Sequence, residues 1–160
     1  MESAEWFTVA RALHVLGVVF WIGGVAFVTT VLIPSLRRLD SAQQRMELFE
    51  RLEGQFAFQA KLATVVTGAA GFYLVAVMDA WSRYLYWQFW WMHLMTFIWV
   101  IFTLVLFVLE PLFLHRWFHS LVLKDDSNAF FWLHRMHKIL LSLSLLAVFG
   151  AVAGSHGLQF

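Results

Sequence analysis

Residues 12–36 read ALHVLGVVFWIGGVAFVTTVLIPSL, and no formal charge interrupts them. At about 1.5 Å of rise per residue, a helix of that length more than covers the roughly 30 Å of hydrocarbon in a bilayer. The run is therefore read as a membrane span, entered near Trp6 and ended by Pro34 and the Arg37-Arg38 pair. Working outward, three further apolar runs have the same character. They predict spans over about 9–36, 56–79, 86–115 and 130–155. Tyr84, Tyr86, Trp87, Phe89, Trp90 and Trp91 cluster at the start of the third, where aromatic rings favour the headgroup level. The expected fold class is all-α, an integral membrane four-helix bundle forming a single transmembrane domain over residues 1–160.

Composition points the same way. Of 160 residues, 61% are apolar and only 13% charged, against roughly a quarter charged in a soluble domain. No basic run is interleaved with exposed aromatics, which argues against a nucleic-acid surface. The absence of cysteine excludes disulfides, thiolate-held zinc, iron–sulfur clusters and covalent c-type haem. Glu2 and Glu5 replace the basic start of a signal peptide, and the following apolar run is too long for one, so the first span is expected to be retained.

Between spans one and two, residues 40–54 differ. Ser41 with Gln44 fits a capping box, and Met46, Phe49, Leu52 and Phe56 recur at helical spacing with Arg45, Glu47, Glu50 and Arg51 opposite. This pattern predicts a short amphipathic helix lying along the cytoplasmic interface. Lys124 to Asn128 reads as a polar turn before span four. Arg37, Arg38, Arg45, Arg51, Lys61, Arg116, Lys124, Arg135 and Lys138 fall on one side, and only Arg11 and Arg83 on the other. The positive-inside rule then places the loops joining spans 1–2 and 3–4 in the cytoplasm and both termini outside a cell (inner) membrane. Ala60, Thr64, Gly68 and Gly71 on span two, and Gly150 and Gly154 on span four, are small residues at spacings that let helices approach closely. The same faces are compatible with a homo-oligomer.

Seven histidines in so apolar a chain are the chemical anomaly, because ionisable groups within spans face the bundle interior and mark function. His14 and His93 fall at matched depth near the outer ends of spans one and three. Two imidazoles so placed can clamp a noncovalent b-type haem, with Gly17 leaving room for the porphyrin and Arg11 pairing a propionate. The alternatives are a structural pair, each ring bonded to a backbone carbonyl or hydroxyl of a neighbouring helix, and copper(I) held by His14, Met92 and His93. A second polar layer joins Lys61, Glu110, His137 and Lys138. There Glu110 needs a cation, and the group can serve as an ion pair, a proton relay, or a second metal or haem site through His137. His115 with His119, and His134 with His137, have spacings that suit transition metals. His156 falls where it could cover the edge of the first site. No serine has a base and orienting acid in sequence context, and no glycine-rich phosphate loop occurs.

Arg11-Ala12-Leu13-His14, Trp21-Ile22-Gly23-Gly24 and Trp91-Met92-His93 resemble the small four-helix membrane proteins that include HemJ-type protoporphyrinogen oxidases and CopD-type copper resistance domains. The resemblance covers most of the chain and implies haem at His14 and His93. HemJ-type proteins typically carry Lys two residues after the span-three His, where this chain has Met95. The expected function is electron transfer or redox chemistry on bis-His haem b, with a quinol or a redox protein as partner. Protoporphyrinogen oxidation and copper transport or resistance are the alternatives.

Overall fold

Long apolar runs leave the backbone no partners except its own, and the chain satisfies them with helices. In the computed structural model, which describes residues 2–114 and 126–157, these are α1 (Glu2–Phe27), a π-helical turn (Val28–Leu32), α2 (Ile33–Leu36), α3 (Ala42–Val77), two 3₁₀ segments (Ala80–Leu85 and Trp87–Phe89), α4 (Trp90–Leu104), a π-helical stretch (Val105–Leu114) and α5 (Asp126–Ser155). Among the described residues, four continuous helical stretches are long and apolar enough to cross a membrane: Ala4–Leu36, Ala42–Val77, Trp87–Leu112 and Asn128–Ser155. Three agree with the expected spans to within a few residues at each end. His115, His119, Arg116 and Lys124 lie outside the described residues.

The second stretch corrects the expectation of a separate interfacial helix. Ser41 caps α3, its Oγ accepting the Gln44 N–H at 3.4 Å, and the helix then runs to Val77 without a break. Neither proline nor a left-handed residue interrupts it, and Gly54 alone does not stop a helix. Its apolar stripe is real but finds protein. Phe49 is buried against Val28, Leu32, Ile33, Leu36, Ala129 and Phe130, and Met46, Leu52 and Phe56 pack at the margin of that cluster. The Phe49 and Phe130 rings meet edge to face at 5.8 Å. The stripe is thus the means by which α3 closes over the ends of α2 and the start of α5.

Both prolines lie at or beside a π-helical segment. A proline ring would strike the carbonyl four residues back, Thr30 for Pro34 and Phe107 for Pro111, and widening the coil relieves the clash. Around the first, Thr29 and Thr30 donate their hydroxyls to the Val25 and Ala26 carbonyls, each at 2.7 Å, supplementing the disturbed ladder. Helix α1 therefore passes into α2 instead of ending at Pro34.

Glycines set the helix spacing. A methyl group at Gly17 would strike the Thr67 side chain, and one at Gly24 would strike the Phe56 ring, so α1 and α3 run antiparallel in close contact. Elsewhere the small residues admit indoles: Trp99 fills the space over Gly68, Trp90 that over Gly150, and Trp91 that over both Gly150 and Gly154. Gly23, by contrast, faces open space. Gly17→Ala should accordingly destabilise the protein by about 1–3 kcal/mol through overpacking. Gly23→Ala should be neutral or stabilising by up to about 1 kcal/mol from helix propensity. Thermal unfolding of the two purified variants reads the difference, and equal midpoints would contradict the packing described.

Candidate functional site

Depth comes first. Trp21 of α1 and Phe102 of α4 meet edge to face at 5.0 Å, and the two helices run in the same direction. His14 precedes Trp21 by seven residues and His93 precedes Phe102 by nine, so their heights differ by about two residues, or ~3 Å. The two residues lie within about one helical turn of each other in height.

Their directions differ. His14 is half-buried and turns toward α3, where its Nδ1–H donates to the Thr67 carbonyl at 2.9 Å and its ring lies over Gly71. That hydrogen bond selects the tautomer with Nε2 deprotonated, the arrangement usual for a metal-ligating histidine. The space at Gly17 is taken by Thr67. Arg11, one turn above His14, is exposed and has no ion pair or hydrogen bond among the described residues.

His93 turns instead toward the 3₁₀ segments. Its Nε2–H donates to the Tyr84 carbonyl at 2.9 Å, and Nδ1 lies 3.3 Å from the Phe89 carbonyl. The Tyr84 ring meets it edge to face at 5.4 Å, and the Tyr84 hydroxyl is tied to Thr96 Oγ1 at 2.8 Å. A neutral imidazole has one N–H, so the shorter bond, to Tyr84, fixes its tautomer. Ligation through Nε2 would require His93 to exchange that carbonyl for the metal. Of the two, His14 has an Nε2 lone pair to offer a metal as it stands, whereas His93 would first have to give up its bond to the Tyr84 carbonyl.

Met92 is buried and Met95 packs beside the cluster of Trp21, Val25 and Ile98. Both thioethers are core contacts. Among the described residues no group of three or more histidine and carboxylate side chains could hold a metal ion. His156, exposed, bonds within its own segment, its Nδ1 lying 2.8 Å from the Val152 carbonyl.

The second polar layer is partly assembled. Lys61 Nζ reaches Glu110 Oε1 at 3.0 Å, while Glu110 Oε2 is buried with no hydrogen-bond partner among the described residues. His137 stays apart, its Nδ1–H donating to the Leu133 carbonyl at 2.9 Å. Glu110 immediately precedes Pro111 within the π-helical stretch, so its carboxylate sits where helix phase is least readable from spacing.

Three residues that spacing did not single out organise the site. Thr67 orients His14, Tyr84 holds His93, and the Trp99 indole donates to the Thr64 carbonyl at 2.9 Å. The one available signal was Trp99, since an indole N–H inside an apolar run needs an acceptor. The hydroxyls of Thr64 and Thr67 are themselves buried with no partner among the described residues.

No protein-family model matches the chain, and neither a curated protein nor a solved structure does. The site therefore stands on its own geometry.

A double-mutant cycle tests the ion pair. Lys61→Met should cost more stability than Lys61→Met combined with Glu110→Gln, with a coupling of about 0.5–3 kcal/mol. Additive effects in chemical unfolding would contradict a direct pair.

Proposed function

We propose that the chain is an integral membrane bundle that binds b-type haem at the end carrying His14 and His93 and serves electron transfer or redox chemistry. The observation that carries this reading is the hydrogen bond from His14 Nδ1–H to the Thr67 carbonyl, because it aligns the ring and leaves Nε2 to a metal. His14 is the first ligand. His93, within about a turn of it in height, would be the second, and holding iron there would require its Nε2 to give up the Tyr84 carbonyl. Arg11, which has no partner among the described residues, would pair a propionate. When bound, haem b supplies a one-electron couple, and the protein's part is to fix imidazole orientation and keep water from the rings.

Lys61 and Glu110 belong to the other end of the bundle, where one carboxylate oxygen is paired and the other has no partner among the described residues. In this reading that free oxygen can take and return a proton, with Lys61 holding the group in place. Arg37, Arg38, Arg45, Arg51, Lys61, Arg135 and Lys138 support the reading that this end faces the cytoplasm.

A second reading also has support. His14, His93, His134 and His137 all bond backbone carbonyls, which is what a haem-free scaffold would require of buried imidazoles. Absorption spectroscopy separates the two. The purified protein should show split alpha and beta bands on reduction, lost in both His14→Ala and His93→Ala. Retention of the bands in either variant would refute the ligand pair, and their absence from the unaltered protein with haem supplied would favour the scaffold.

A further inference from the structure

A hydroxyl on an apolar helix ordinarily donates to the carbonyl one turn back. Thr29, Thr30, Thr103 and Ser144 do so, each reaching the carbonyl four residues earlier at 2.7 Å. Thr64 and Thr67 do not. They are 0% and 5% exposed, and neither hydroxyl has a partner among the described residues. Thr67 turns its oxygen away from its own helix, into the gap that Gly17 leaves on α1. A third orphan lies one turn further along α1. The indole N–H of Trp21, a side chain only 4% exposed, likewise has no partner among the described residues, whereas the Trp99 indole bonds a carbonyl.

The three groups share one place in the fold. Gly17 faces Thr67, and Trp21 follows Gly17 by four residues, on the same face of α1. Because α1 and α3 are antiparallel, Trp21 comes opposite the turn of α3 before Thr67, and it packs in one cluster with Ala63, the neighbour of Thr64. Thr64 and Thr67 stand three apart on α3, so their Cβ atoms are about 5–6 Å from each other. One bridging oxygen spans that separation with two hydrogen bonds.

The chemistry of the groups selects what they hold. Trp21 can only donate, while each hydroxyl can both donate and accept. A metal cation would meet the Trp21 N–H head on, and an anion would find no charge among Ala63, Val25 and Ile98. Water both accepts and donates, and a buried water makes about three hydrogen bonds to groups of this kind. Ala60 and Ala63, both buried, keep the facing surface of α3 low beside them.

We infer that Trp21, Thr64 and Thr67 form a binding site for internal water between α1 and α3. The water accepts the Trp21 N–H and bonds the two threonine hydroxyls. Lys61 stands one turn before Thr64, and His14 one turn before Gly17, so the site hydrates the apolar middle of the bundle between its two polar layers. It stands on the helix packing and is independent of haem.

The test isotopically labels the tryptophan indole nitrogens of the full chain in lipid nanodiscs and assigns the Trp21 resonance by its loss in Trp21→Phe. Water should cross-relax with the Trp21 indole proton with the sign of a long-lived bound molecule. That signal should vanish when Thr64→Val and Thr67→Val are combined, and persist when Thr64→Ser and Thr67→Ser are, since serine keeps the hydroxyls. Each valine substitution alone should raise the unfolding equilibrium constant about fivefold by removing a made hydrogen bond. Thr103→Val, whose hydroxyl serves only its own helix, should leave that constant within about twofold. Absence of a water signal at Trp21 in the unaltered protein would overturn the site. Valine variants as stable as the parent, or more stable, would overturn it too, because that is the outcome for a hydroxyl with nothing to bond.

Discussion

The close antiparallel contact of α1 with α3 is the constraint on which the rest depends. Gly17 and Gly24 remove the side chains that would hold these helices apart, and Thr67 and Phe56 enter the gaps. Only at that separation can the His14 imidazole reach the backbone of α3 and donate to the Thr67 carbonyl. A carbonyl that already accepts within its helix retains a second lone pair, so the bond orients the ring without breaking the ladder. Lys61 rides on the same helix, which carries its ammonium to Glu110 on the π-helical continuation of α4. One helix therefore positions both polar layers.

Aromatic rings perform the corresponding task for α4 and α5. Trp99 lies over Gly68 and bonds the Thr64 carbonyl, joining α4 to α3. Trp90 and Trp91 rest on Gly150 and Gly154, joining α4 to α5. In an apolar solvent the hydrophobic drive between helices vanishes, and association depends on van der Waals fit and on such hydrogen bonds. Large flat rings against glycine give a wide contact for little ordering entropy. The small-residue faces are thus occupied within the chain.

Much of this architecture is legible in the sequence, and the residues show why the rest is not. Hydropathy gives the four apolar stretches, because length and charge are one-dimensional quantities. The spacing of Met46, Phe49, Leu52 and Phe56 reveals a buried stripe but not its partner, and the structure supplies Phe130 and Leu36 where a bilayer surface was expected. Depth arithmetic brings Lys61 to Glu110. Rotation about the helix axis is another matter: His14 turns to α3 and His93 to the Tyr84 carbonyl, and neither choice follows from spacing. The end of the first span at Leu36 is legible from the Arg37-Arg38 pair, but the π turn that carries the helix past Pro34 is not.

The central claim is that the His14 imidazole presents Nε2 to an iron shared with His93. Electron paramagnetic resonance of the oxidised, purified protein addresses it most directly, because axial ligation sets the ferric spin state. The account predicts a low-spin signal of two nitrogenous axial ligands that converts to high spin in His93→Ala. A signal that is high spin in the unaltered protein, or low spin and indifferent to both histidines, would contradict it.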